Sequence, residues 1–148
     1  MPKIGEPVRL SAALLLIVVV LGPIGCGGDD DEESAGSVDA RCESAATDVV
    51  TPLSNGIEVE GVRLTRVYVV KSNDHESMYF VSTEVDGPGY EESGDIATFA
   101  SESQFGGGAI YAVDDLANEL STLRDGREVA GLSLEDDGVE SSRSCASG

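Results

Sequence analysis

His75 is the only histidine in the 148-residue chain, so any imidazole base or ligand has to be His75. It lies between Asp74 and Glu76 in a polar run, Ser72 to Ser77, that reads as an exposed turn. Ordinary His-rich zinc sites need a second histidine, and the chain has none. A serine nucleophile needs a base beside it. The chain has no Gly-x-Ser-x-Gly elbow and no Ser-x-x-Lys. Carboxylates are plentiful, and acid pairs can hydrolyse glycosides. The pairs Glu91-Glu92, Asp114-Asp115 and Asp136-Asp137 all stand where turns or helix caps are expected, and no Trp is present to line a sugar cleft. Glu135-Asp136-Asp137-Gly138 has the oxygen chemistry of a calcium loop without its Asp-x-Asx-x-Asx-Gly spacing. Gly106-Gly107-Gly108 is not followed by Lys-Ser/Thr, so it is no phosphate cradle. Phe105 and Tyr111 beside it form either an exposed rim or part of the packing. The expectation is a protein with no catalytic site, no metal site and no cofactor.

The elements that must hold these residues follow from periodicity. Val38, Cys42, Ala45, Ala46, Val49, Val50 and Leu53 recur at three and four, which predicts a helix capped by Ser37 or Asp39 and stopped at Ser54-Asn55-Gly56. Ile57 to Lys71 is rich in β-branched residues and reads as a strand, firmest from Leu64 to Lys71. Met78 to Val85 is the next strand, with Tyr79, Val81, Thr83 and Val85 on one face. Asp86-Gly87-Pro88-Gly89 is a turn, Asp95 to Ser101 a third strand, and Ala109 to Val113 a short fourth strand or helix entrance. Asp114 can cap a second helix, Asp115 to about Leu123. Val129 to Leu134 reads as a last short strand, followed by a polar tail. This order predicts an α+β domain: an antiparallel meander of three to four strands with two helices packed on one face.

The chain carries 28 acidic and 9 basic residues, a formal net charge of −19. That excludes a nucleic-acid partner held by phosphate neutralisation. The charge is unevenly spread. Lys3 and Arg9 precede an apolar run from Leu10 to Leu21 that Gly22-Pro23 breaks. A basic start, a short apolar core and a small-residue exit make a secretory signal peptide, and the run is shorter than the roughly 20 residues of a membrane span. An uncleaved membrane helix from Val8 to Ile24 is the alternative. Residues 1–25 are thus assigned to the signal.

Pro23-Ile24-Gly25-Cys26 resembles the lipobox of bacterial lipoproteins. In that family the signal is cut before the cysteine and the thiol is diacylglycerated. Gly25 and Cys26 match the pattern, while Pro23 stands where the family usually has Leu. The resemblance implies that Cys26 is the lipidation site and that the protein meets the membrane there. Cleavage after Gly27 would instead release a soluble secreted protein. Residues 26–37, with Asp29-Asp30-Asp31-Glu32-Glu33 at their centre, repel one another and read as a flexible acidic tether to a domain at 38–148. Without residues 1–25, 7 of the 9 basic and 27 of the 28 acidic residues remain, a net charge of −20.

With Cys26 committed to lipid, Cys42 and Cys145 are left, and an exported even pair is normally a disulfide. It would fasten the first helix to the tail. The reading is a lipoprotein on the extracytoplasmic face of the cell membrane, with a non-catalytic domain that meets a protein partner in the cell envelope. A small-ligand or calcium-binding lipoprotein is the alternative, and a carboxylate hydrolase ranks below it.

Overall fold

Alternating apolar residues build the centre of the molecule, and two short segments that the sequence does not announce complete it. The structure is a computed structural model that describes residues 41–90 and 94–148. The signal segment, Cys26, the acidic tether, Ser37, Asp39 and Glu91-Glu92 lie outside the described residues. In chain order the elements are β1 (Glu43–Ser44), α1 (Thr47–Asn55), β2 (Arg63–Lys71), β3 (Tyr79–Asp86), β4 (Ile96–Ser101), β5 (Ile110–Ala112), α2 (Asp115–Leu120), β6 (Arg124–Asp125), α3 (Gly126–Val129) and α4 (Val139–Ser147). The fold is α+β.

The six strands form one sheet in chain order. The pairs from β1 to β5 are antiparallel, and β5 pairs with β6 in parallel through the crossover helix α2. The sheet is therefore mixed and six-stranded, which corrects the expected antiparallel meander of three to four strands. The two added strands are two residues long, too short for any local periodicity. Between Thr65 and Tyr68 the β2–β3 register slips by one residue. Arg66 sits in this bulge at φ 51°, the one non-glycine residue with positive φ among the described residues. A bulge of this kind bends the strand and increases its local twist.

Both faces of the sheet are covered. On one face Val69, Val81, Val85, Ala97, Phe99 and Ala112 pack with Val49 and Leu53 of α1 and Ala117 and Leu120 of α2. On the other face Phe80, Ala100, Tyr111 and Val113 pack with Leu132 and with Val139 of α4. Two helices do share a face, as expected, but the tail is a third layer and not a loose end. The alternation of β3 explains this. Its odd positions face α1 and α2, and its even positions Phe80 and Ser82 are also fully buried.

Other boundaries differ from the sequence reading for local reasons. The first helix begins at Thr47, so Cys42, Ala45 and Ala46 lie ahead of it and not on its stripe. Ala45 N–H instead donates to Val67 O at the sheet edge. Pro52 lies inside α1 and cannot donate to the Asp48 carbonyl one turn back. That carbonyl is closely approached by Gly106, where an added Cβ would come within 2.4 Å of it. Gly106 of the Gly106-Gly107-Gly108 turn therefore serves close packing against α1, and Gly108 packs against Glu102. The segment Val129 to Leu134 is not a strand: α3 ends at Val129, and Leu132 N–H donates back to Gly126 O.

Cys42 and Cys145 form a disulfide across 103 positions, with their Cα atoms 5.9 Å apart. It fastens the start of the edge strand to α4, not the first helix to a tail. Chain-entropy reasoning gives about 4–5 kcal/mol for a loop of this size, with measured values usually lower. Replacing both cysteines by serine is expected to lower unfolding free energy by about 2–5 kcal/mol. Urea denaturation followed by circular dichroism checks this, and unchanged midpoints would refute it.

Candidate functional site

Three polar constellations stand out: a clasp between two loops, a buried hydrogen-bond chain under α4, and the groove beside that chain. The clasp joins the two motifs that the sequence marks separately. His75, in the turn between β2 and β3, places Nε2 2.9 Å from Asp136 Oδ2. The same oxygen accepts from Ser133 N–H at 2.8 Å. Next to it, Asp137 Oδ2 accepts from Arg41 Nη1, Asn73 Nδ2 and Asn73 N–H, and Asp137 N–H donates to Asp74 Oδ2. Ser72 Oγ accepts from the backbone N–H groups of Asp74 and His75, which shapes the turn. Arg41 also donates to Ser141 Oγ on α4. These groups tie residues 41, 72–75 and 133–137 together. Among the described residues no three His, Cys, Asp or Glu side chains converge as metal ligands.

The buried chain runs between sheet and helix. Asp114 is the N-cap of α2, and its Oδ1 accepts from Ala117 N–H at 2.8 Å. Its Oδ2 accepts from Thr98 N–H at 2.9 Å and from Arg143 Nη1 at 2.7 Å. Arg143 Nη1 also reaches Thr98 Oγ1 at 2.7 Å and Ile96 O at 3.2 Å. Further along, Ser82 Oγ and Ser142 Oγ are 2.8 Å apart, and Ser142 Oγ donates to Val139 O. A hydroxyl has one hydrogen, so Ser82 is the donor to Ser142. Thr98 Oγ1 lies 3.4 Å from Ser82 Oγ and completes the sequence Arg143, Thr98, Ser82, Ser142. No buried side-chain N or O is left without a partner among the described residues. A satisfied buried network of this kind fixes one register of α4 on the sheet.

Beside this chain lies a groove of about 940 Å³ between the start of α2, the start of β4 and α4. Its lining mixes apolar residues, such as Ile96 and Leu116, with carboxylates and Arg143. A second hollow, about 550 Å³, lies over the clasp. On the opposite loop Phe105 is 72% exposed, whereas Tyr111 is buried at 7%. The two therefore do not share a rim. Tyr111 OH donates to Glu102 Oε1, and Ala109 N–H donates to Glu102 Oε2. The Ala109 N–H first, and then the Tyr111 hydroxyl, hold the Glu102 carboxyl below its ordinary range, while the bond to Glu102 and burial push the Tyr111 phenol up.

The two described pairs of adjacent acids separate in role. Asp114 caps and anchors, Asp115 is exposed and paired with Arg127, and Asp136-Asp137 form the clasp. Glu91-Glu92 lie outside the described residues. Sequence reasoning missed Arg143 and Ser142. Their signal was faint: Val139, Ser142 and Ala146 follow helical spacing only if a serine is admitted to the buried stripe. Among the described residues no helix is long and apolar enough to cross a membrane. Family models, curated proteins and solved structures offer no match to this chain.

Two outcomes follow. Asp114→Ala removes the cap, strips the Thr98 and Ala117 N–H groups of their acceptor and Arg143 of its counter-charge, and is expected to cost about 3 kcal/mol, whereas Arg127→Ala, on the surface, should cost far less. Parallel urea melts of the two variants check this, and equal losses would contradict it. The Asp137 carboxyl is held below its usual range, chiefly by the Arg41 guanidinium, with burial opposing and the Asn73 N–H groups assisting. Its folded value lies below its unfolded one. The clasp thus contributes fully above the unfolded pKa, near about 3.9, and loses its contribution as pH falls through the folded value. A carboxyl NMR titration should give Asp137 a midpoint under that reference, and Arg41→Gln should raise it. A midpoint at or above the reference would contradict the assignment.

Proposed function

We propose that the chain is an exported lipoprotein, held at the extracytoplasmic face of the cell membrane through lipid on Cys26, whose domain is a non-catalytic module for a protein partner in the cell envelope. The observation that carries this reading is the Cys42–Cys145 disulfide. It spends both cysteines that follow the lipobox-like segment and leaves Cys26 as the one remaining thiol. A structural disulfide belongs to an oxidising compartment, which agrees with the signal-like start. Two acyl chains on one cysteine suffice for stable anchoring.

The non-catalytic part rests on how the reactive groups are spent. His75 joins two loops through Asp136. Asp114 caps a helix and receives Arg143. In both contacts these groups join elements of the fold, which supports the non-catalytic reading. The groove favours a second reading, a small-ligand-binding lipoprotein, because its volume is that of small-molecule sites.

The anchor is tested by the intact mass of protein extracted from native membranes, with and without reductant. The expected chain begins at Cys26, carries acyl mass and gains two hydrogens on reduction. Cys26→Ala should move the protein out of the membrane fraction. An unacylated chain starting after Gly27 would overturn the anchor. Photo-crosslinking groups placed around the domain in intact cells test the partner: a discrete adduct is expected, and none from any surface position would overturn that part.

A further inference from the structure

The groove between α2 and α4 carries more information than its volume. Ile96 and Val139 are buried in its wall, Leu116 is half-buried, and Leu134 stands at the rim with 47% of its surface exposed. Its charges do not cancel. Arg143 is the one basic residue of the lining, and its guanidinium is spent on Asp114 at 2.7 Å. Asp115 is met by Arg127 at 2.9 Å. Asp95 and Glu140 then remain in the lining, with no ion pair to either among the described residues. The groove therefore combines apolar residues with two carboxylates that have no ion pair among the described residues.

The acidic run of this chain and a second copy of the mature chain do not suit it. The tether is acidic from Asp29 to Glu33, and a second copy of the chain without residues 1–25 carries a charge of −20. Like charges of this size oppose such docking. An anionic lipid or polyanion is opposed in the same way. A metal ion alone would leave the apolar wall unused. The complementary occupant is cationic and apolar together.

We propose that this groove takes a peptide segment of a protein partner in which basic residues flank an apolar side chain. The apolar residue lies against Ile96, Leu116 and Leu134, and the basic residues face Asp95 and Glu140. The proposal rests on the reading of the domain as a partner-binding module and assigns that module a surface and a ligand chemistry. It also gives the direction of selectivity: charge steers the basic segment in, and the apolar wall distinguishes it from a merely basic one.

The probe is a synthetic peptide of alternating Lys and Leu, measured against the mature disulfide-bonded chain by fluorescence anisotropy at two salt concentrations. The comparison peptides alternate Lys with Ser and Glu with Leu. The Lys-Leu peptide is expected to bind most tightly. The variant Asp95→Asn with Glu140→Gln should weaken it about tenfold, as two lost charge contacts would. Leu134→Ser, an exposed change, should weaken it also. Glu58→Gln with Glu60→Gln, equal in charge and outside the groove, should leave the affinity unchanged. Equal losses from the two acid pairs, or equal binding of the Lys-Ser peptide, would overturn the proposal by showing general charge attraction. So would the absence of binding. Those results would leave the partner-binding reading standing if crosslinking in cells still yields an adduct from another face, and would remove it only if no face does.

Discussion

Attachment of α4 to the sheet is the constraint on which the rest depends. Nine residues, Val139 to Ser147, carry only Val139, Cys145 and Ala146 as apolar side chains. Burial of so little apolar surface gives a short helix little hold, and an isolated helix of this length is not stable in water. The missing stabilisation comes from specific bonds. Cys145 is covalently joined to Cys42, Ser142 receives the Ser82 hydroxyl, and Arg143 reaches Asp114, Thr98 and Ile96 O. Gly138 opens the helix at φ 97° and lets its first turn come close to Phe80 and Val70. Each of these contacts has little meaning without the others, since every polar group in the interface needs its partner to offset desolvation.

The same attachment shapes the surfaces that face outward. Arg143 holds the wall of the groove while neutralising the acid that caps α2. Asp114 couples three elements, because one carboxylate binds the β4 backbone, the α2 backbone and the α4 side chain. At the other end of α4, the turn Ser133 to Asp137 is locked to the β2–β3 loop through His75, Asn73 and Asp74. The one histidine and the acids Asp136 and Asp137 thus take part in holding two loops together.

Much of the fold was legible where local pattern and tertiary packing agree. The alternation of Tyr79, Val81, Thr83 and Val85 gave the inner face of β3, and Asp114 before Leu116, Ala117 and Leu120 gave the cap and stripe of α2. The pairing of Cys42 with Cys145 followed from counting once Cys26 was set aside. The second covered face was not legible. Its strand positions include Ser82 and Thr98, which look solvated, and they are buried because a serine and an arginine on α4 answer them. Strands of two residues leave no period to read, so β1 and β6 exist only through their partners. The site shows the same division. His75 and Asp136 each drew notice from residue type, but their contact spans 61 positions and no local signal encodes it. Arg143, alone among serines, gave no sign of the buried acid it meets.

The disulfide and a polar network, rather than an apolar face, hold α4, so that oxidation of Cys42 and Cys145 is a condition of its full attachment. Native-state hydrogen exchange of the oxidised and reduced protein tests this most directly. On reduction, the amides of Ser142 and Ala146 are predicted to lose protection while those of Phe80 to Ser82 and Thr98 to Ala100 retain most of theirs. Helical amides that stay fully protected, or that exchange in step with the central strands, would contradict it.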